Sequence, residues 1–205
     1  MDRLNLTTEH YDQGEGAIPF VQQIEIRRPE LGDCQELHQF FRSVITDTFA
    51  KENLADLVED IEQEIKTKES YLKIDYDSLG INRYFLLAIA NKQIIGTIEY
   101  GPSSRLIHEL TQDALQNMIE IGTVLVHPEY QQQGIGSLLL NVLLLSLKNK
   151  GIGEFCLDSG YNRAQKYWVK KLGEPDYRFE NYWSEGNDHM IWRRQTSDIP
   201  VIFKL

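Results

Sequence analysis

Between residues 118 and 160 the chain reads as an apolar strand, "MIEIGTVLVHP", a polar loop, a leucine-rich helix, "GIGSLLLNVLLLSLKNKG", and a second strand, "GEFCLDSG". Two strands joined through a helix lie parallel in one sheet, because a tight turn cannot connect them that way. This β-α-β unit therefore fixes an α/β core. The flanking sequence adds antiparallel pieces. "RYFLLAIANKQIIGTIEYGP" reads as a hairpin turning at Asn91-Lys92 and stopped by Gly101-Pro102. "YRFENYW" and "HMIWRR", separated by "SEGND", form a closing hairpin. The expected fold is a mixed central β-sheet flanked by helices, parallel around residues 119–158 and antiparallel elsewhere.

Further elements follow from spacing. After about 20 loosely structured residues, "VQQIEIRRP" alternates as a strand. "GDCQELHQFFRSVITDTF" is a helix, with Asp33 as N-cap and Glu36 completing a capping box. Residues 53–69 form a second amphipathic helix with Leu54, Leu57, Val58, Ile61 and Ile65 on one face. Residues 103–117 are an irregular or helical insertion, and "NRAQKYWVKKLG" is a helix closed by Gly173. At 205 residues the chain suits one domain over 21–195, between an extension at 1–20 and a tail at 196–205. The tail, "TSDIPVIFKL", ends in a strand-like segment that could pair with a neighbouring sheet edge, as in a homodimer.

Composition excludes some functions. A net charge of −10 disfavours nucleic-acid binding and mildly favours an amine-bearing partner. Cys34 and Cys156 belong to no CxxC or Cys/His cluster, so no metal site is expected and both read as reduced thiols. The opening residues lack an apolar signal-peptide core, and "LLLNVLLLSL" is about half a membrane span, so a soluble cytoplasmic protein without membrane association is expected.

Gly134 and Gly136 stand where the strand's following loop enters a helix, a place where unpaired N–H groups and the helix dipole attract phosphate. Three readings of such a loop compete. A nucleotide P-loop needs Lys followed by Ser or Thr after its last glycine, and Ser137-Leu138 stands there instead. A dinucleotide fingerprint needs a third glycine where Leu139 stands. A glycine helix start with no ligand would also explain "GIG" alone.

The longer stretch "VLVHPEYQQQGIGSLLL" resembles the acetyl-CoA-binding motif of the GNAT superfamily of N-acetyltransferases: Arg or Gln, two residues, Gly, one residue, then Gly or Ala, here Gln131 to Gly136. The order of elements from about residue 22 to 194 is similar to that fold. The resemblance implies that backbone N–H groups of Gln131, Gln133, Gly134, Ile135, Gly136 and Ser137 hold the CoA pyrophosphate. It also implies that Val124, Leu125 and Val126 offer backbone groups to the pantetheine arm, with Asn162 as a further contact. Where many members carry arginines this chain has Gln131 and Gln133, which weakens the phosphate attraction.

An acceptor amine, with a pKa around 10.4, must lose a proton before attacking a thioester. Glu120 stands where some GNAT members carry a catalytic glutamate, and strand alternation would put Glu120, Gly122, Val124 and Val126 on one side. The family's thiolate-protonating tyrosine falls one residue out of register: counting from Ala164 reaches Trp168, counting back from Gly173 reaches Val169, and Tyr167 is the nearest phenol. His127 and His108 read as surface groups, Asp188 and His189 as minor acceptor-side candidates. Tyr177, Phe179, Tyr182 and Trp183 suit sheet packing or an acceptor pocket. The resulting expectation is direct acetyl transfer from acetyl-CoA to a primary amine of an unidentified acceptor. The alternatives are a non-catalytic acyl-CoA-binding module and a nucleotide-binding protein.

Overall fold

The computed structural model describes residues 4–10 and 20–203. Among them, one eight-stranded sheet carries helices on both faces. The strands are β1 (Leu4–His10), β2 (Phe20–Arg27), β3 (Tyr84–Ala90), β4 (Gln93–Pro102), β5 (Ile119–Val126), β6 (Glu154–Ser159), β7 (Tyr177–Ser184) and β8 (Asn187–Gln195). The helices are α1 (Cys34–Lys51), α2 (Val58–Ser78), α3 (Arg105–Thr111), α4 (Ile135–Asn149) and α5 (Asn162–Leu172). Strand order is β1-β2-β3-β4-β5-β6-β8-β7, and only β5 and β6 pair in parallel.

Strands buried on both faces read as continuous apolar runs, and β3, "YFLLAIA", is one. Tyr84, Leu86 and Ala88 join the core under α4 and α5, while Phe85 and Leu87 join the core under α1 and α2. The β3–β4 turn forms at Asn91 and Lys92 as expected, both with positive φ (51° and 63°), the combination a two-residue hairpin turn requires.

Several expectations change. Part of the supposedly loose N-terminal stretch is β1, whose "LNLTT" alternates and pairs with β2; residues 1–3 and 11–19 lie outside the described residues. Asp33 stands at the N-cap of α1 as expected, but its side chain makes no cap bond: the carboxylate takes two bonds from Arg27, at 2.6 and 2.8 Å, and one from the Glu30 N–H. Glu36 accepts from Ile94 N–H at 2.7 Å instead of closing a capping box, since a guanidinium and a strand amide outbid the helix's own amides. The second helix starts five residues later than expected and ends nine residues later, because the apolar period continues from Ile61 and Ile65 through Leu72 to buried Asp75. Leu57 and Val58 are exposed. Among the described residues 196–203 the tail forms no strand; residues 204–205 lie outside them. Its carbonyls at Ile199 and Ile202 accept from Lys148 and Asn141, so it lies on α4 and offers no edge there.

Candidate functional site

Two irregularities of β5 shape the site. Opposite β4, Thr97 pairs with Leu125 but Glu99 with Gly122, so β5 carries one extra residue, a bulge at Thr123 and Val124. Thr123 adopts φ 49°, which costs a β-branched residue energy. Two hydrogen bonds hold it: its carbonyl accepts from Thr97 Oγ1 at 2.9 Å, and its Oγ1 donates to Glu99 Oε1 at 3.1 Å. Toward β6, pairing covers only Ile119↔Phe155 and Glu120↔Cys156, after which the strands part. A cleft opens there.

The bulge overturns the alternation expected for β5. Val124 and Val126 pack with Ile121 in the α4-side core, and Leu125 joins the α1/α2-side core. Glu120 and Gly122 face α2 instead. A Cβ built on Gly122 would lie 2.8 Å from Glu99 Oε1 and 3.6 Å from Glu120 Oε1. An inserted residue reverses which side each later residue faces.

Glu120 sits at the apex of the cleft, buried, its Oε2 accepting from the Ser104 N–H at 2.5 Å. The segment 103–117 thus has a role: Ser104, N-cap of α3, closes over the carboxylate. Burial first, then the charges of Asp158 and Glu99, push the Glu120 carboxyl up to about 8. Glu99 is itself buried and paired with Arg83 at 2.6 Å, whose guanidinium lies 3.6 Å from the Tyr71 ring centre. Cys156, pushed up to about 12 chiefly by burial, is a protonated thiol beneath the cleft.

Beyond β5 comes the loop. Gly134 adopts φ 88°, and the first helical bond of α4 runs from Leu138 N–H to Gly134 O at 2.9 Å. The N–H groups of Ile135, Gly136 and Ser137 have no partner within the helix, and no side chain caps it. Buried Ile135 anchors this end in the core. At Gly136 a Cβ would meet only Val126 Cγ2 at 3.7 Å and Tyr167 Oη at 3.9 Å, ordinary contacts. Packing therefore leaves that glycine unexplained, whereas an approaching phosphate would explain it.

The glutamines brace the loop. Gln131 Nε2 donates to Val126 O at 3.0 Å, and Gln133 Nε2 donates to Glu129 O at 2.7 Å. Lys51, the last residue of α1, donates to Gln131 Oε1 at 2.9 Å and is ion-paired with Asp47 at 2.6 Å, so it braces the loop with its charge already matched. Tyr167 reaches the same place, its hydroxyl 3.3 Å from Ser137 Oγ, while Trp168 turns into the core. The phenol, not the residues in register, faces the loop. Burial raises its pKa, against the Ser137 contact, so it holds its proton.

Other candidates divide. Asn162 ties α5 to β8 through Asn187 Oδ1 at 2.9 Å; the N-cap position belongs to Tyr161. Asp188 is spent on Arg178 and the Asn181 N–H. His127 accepts from Glu129 N–H, and His108 pairs with Ser103 Oγ. Tyr177 and Phe179 pack under the sheet, whereas Tyr182 and Trp183 stand exposed around buried His189. Among the described residues no group of three His, Cys, Asp or Glu is placed to hold a metal ion, and no helix is long and apolar enough to cross a membrane.

Such a chain is an α/β protein whose sheet opens where two parallel strands part, beside a helix N-terminus. Residues 50–173 match the acetyltransferase (GNAT) family, and the chain belongs to that family. The fold is similar to PaiA N-acetyltransferase from Thermoplasma acidophilum in complex with coenzyme A, at 21% identity and TM-score 0.60, covering 84% of this chain and 98% of that one. It is similar as well to YncA from Salmonella typhimurium with acetyl-CoA, at 17% identity and TM-score 0.61, covering 89% and 99%. The ribosomal-protein-S18-alanine N-acetyltransferase from Escherichia coli matches at 16% identity and TM-score 0.55, covering 89% and 99%. No curated protein sequence matches the chain.

Proposed function

We propose that the chain is an acetyl-CoA-dependent N-acetyltransferase that moves the acetyl group directly to a primary amine. The observation carrying this reading is the buried carboxylate of Glu120 at the point where β5 leaves β6, on the strand that feeds the open N-terminus of α4. CoA-bound neighbours of the same fold support the choice of cofactor.

In this reading Gln131, Gln133, Gly134, Ile135, Gly136 and Ser137 offer N–H groups to the pyrophosphate, with Lys51 holding Gln131 in place. Val124, Leu125 and Val126 run along the pantetheine arm, near Asn162 at the start of α5. Glu120 takes a proton from the acceptor ammonium, directly or through a water. The freed nitrogen lone pair bonds to the acetyl carbonyl carbon; the C–S bond then breaks with its electron pair on sulfur, the Tyr167 phenol supplies the thiolate's proton, and the second proton released from the nitrogen returns through water to the phenolate. The raised Cys156 thiol disfavours a covalent acyl-enzyme.

The test is Glu120→Gln. Turnover should fall roughly 10²- to 10⁴-fold, the range of general-base catalysis, with acetyl-CoA affinity kept. Undiminished turnover would remove Glu120 from the mechanism.

A further inference from the structure

Across the cleft from Glu120 stands a second carboxylate. Asp158 lies two residues beyond Cys156 on β6, hence on the same face, just past the point where pairing with β5 ends. Its side chain is 22% exposed, whereas Glu120 is buried, so Asp158 is the more accessible of the two.

Asp158 is held for that position. His189, 2% exposed, stands with Nε2 3.1 Å from Asp158 Oδ2, and its Nδ1 accepts from Trp183 Nε1 at 3.2 Å. An indole N–H can only donate, so the imidazole hydrogen lies on Nε2 and points at the carboxylate. Trp183 rests against Gly160, where a Cβ would come within 2.5 Å of its Nε1. Buried Gln165 donates to both Ser159 O and Asp188 O, each at 2.9 Å, locking the strand ends that carry Asp158 and His189. Among the described residues Asp158 Oδ1 has no donor.

The surrounding charges leave a cation wanted. Arg83 is committed to Glu99 at 2.6 Å, and Lys68 lies 3.7 Å from Glu64 on α2. Glu120 and Asp158 have no basic side chain paired with them apart from His189. Glu120 Oε1, on a side chain nine-tenths buried, likewise has no donor among the described residues.

We propose that Asp158, oriented by His189, receives the ammonium group of the acceptor beside Glu120, so that the acceptor docks as a protonated primary amine between two carboxylates. Asp158 is then a substrate-binding residue and His189 a positioning residue. The proposal rests on the N-acetyltransferase reading.

Steady-state CoA release with n-butylamine, 1,4-diaminobutane and alanine amide tests it. Asp158→Asn should raise the amine KM tenfold or more while the KM for acetyl-CoA stays within twofold. His189→Gln, whose amide can still donate to the carboxylate, should remain near wild type, and His189→Leu should raise the amine KM. An unchanged amine KM in Asp158→Asn overturns this proposal alone, since amines are still acetylated. Acetyl-CoA binding with no CoA release on any of the amines overturns both. Should Asp158→Asn fail to fold, ¹⁵N-histidine spectra of the wild-type protein decide: n-butylammonium shifts the His189 Nε2 resonance if it binds Asp158 and leaves it in place if it does not.

Discussion

Gly134 and Gly136 look alike in the sequence and differ in what they supply. Gly134 holds φ 88° with open space around it, so Gly134→Ala should cost about 1–2 kcal/mol in thermal or urea unfolding through backbone strain alone. Gly136→Ala meets only ordinary contacts, so stability should change little while acetyl-CoA affinity falls, as calorimetric titration would show. Equal losses of affinity without loss of stability in both would contradict this division. Glu120 makes a separable prediction. Its carboxyl, ordinarily near 4.5, stands at about 8 in the fold, so between those values the folded state keeps a proton that the unfolded chain has released. Stability from this group is therefore full below about 4.5 and lost as pH rises through about 8, on the order of a few kcal/mol. Glu120→Gln should flatten that decline, so that its Tm relative to wild type rises between pH 6 and 9. Tyr167→Phe separates two uses of the phenol beside Ser137. A fall in kcat marks a proton donor, whereas weakened acetyl-CoA affinity at unchanged kcat would assign it to the phosphates.

The β5 bulge converts an ordinary strand into a cleft wall, and Gly122 is the position that lets Glu99 and Glu120 share its inner side. Gly122→Ala would press a methyl to 2.8 Å from a carboxylate that Arg83 and Thr123 hold in place. Loss of about 1–3 kcal/mol in stability, together with reduced turnover, is expected from denaturant titration and kinetics. The glycine loop and α4 were legible in the sequence because glycines followed by a leucine-rich period form a local pattern. The bulge was not, since Thr123 is neither Gly nor Asn and only cross-strand bonds from Thr97 and to Glu99 hold its left-handed backbone. Likewise α2 was read short: its buried face passes through Asp75, a charged residue, which is buried because it accepts from Arg28 and the Phe85 N–H. Asp158 and the Lys51–Gln131 bond escaped notice because both pairings form only through tertiary contact, Lys51 with Gln131 across 80 residues and Asp158 with His189 across 31.

The sheet separates two cores, and the cleft lies on the α2 side of it with charges where most of the sheet is apolar. The Arg83–Glu99 pair is the buried tie there. Arg83→Met would strand a buried carboxylate beside Glu120 and should cost roughly 3–5 kcal/mol, visible as a lowered urea midpoint. A loss under 1 kcal/mol would mean that Glu99 is relieved by a proton or by water. The fold order, the mixed sheet and the glycine loop before α4 were readable from the sequence because they rest on period and glycine placement. The cluster around Glu120 and Asp158 was not, because it is assembled from α2, α3, β6 and the β7–β8 hairpin. The most direct measurement compares wild-type protein with Glu120→Gln, first by calorimetric titration with acetyl-CoA and then by CoA release with primary amines across pH 6–9. Micromolar binding by both proteins is expected, with wild-type kcat/KM rising through about pH 8 and the variant at least 100-fold slower. Failure of the wild-type protein to bind acetyl-CoA, or equal turnover by the two proteins, would contradict the central claim.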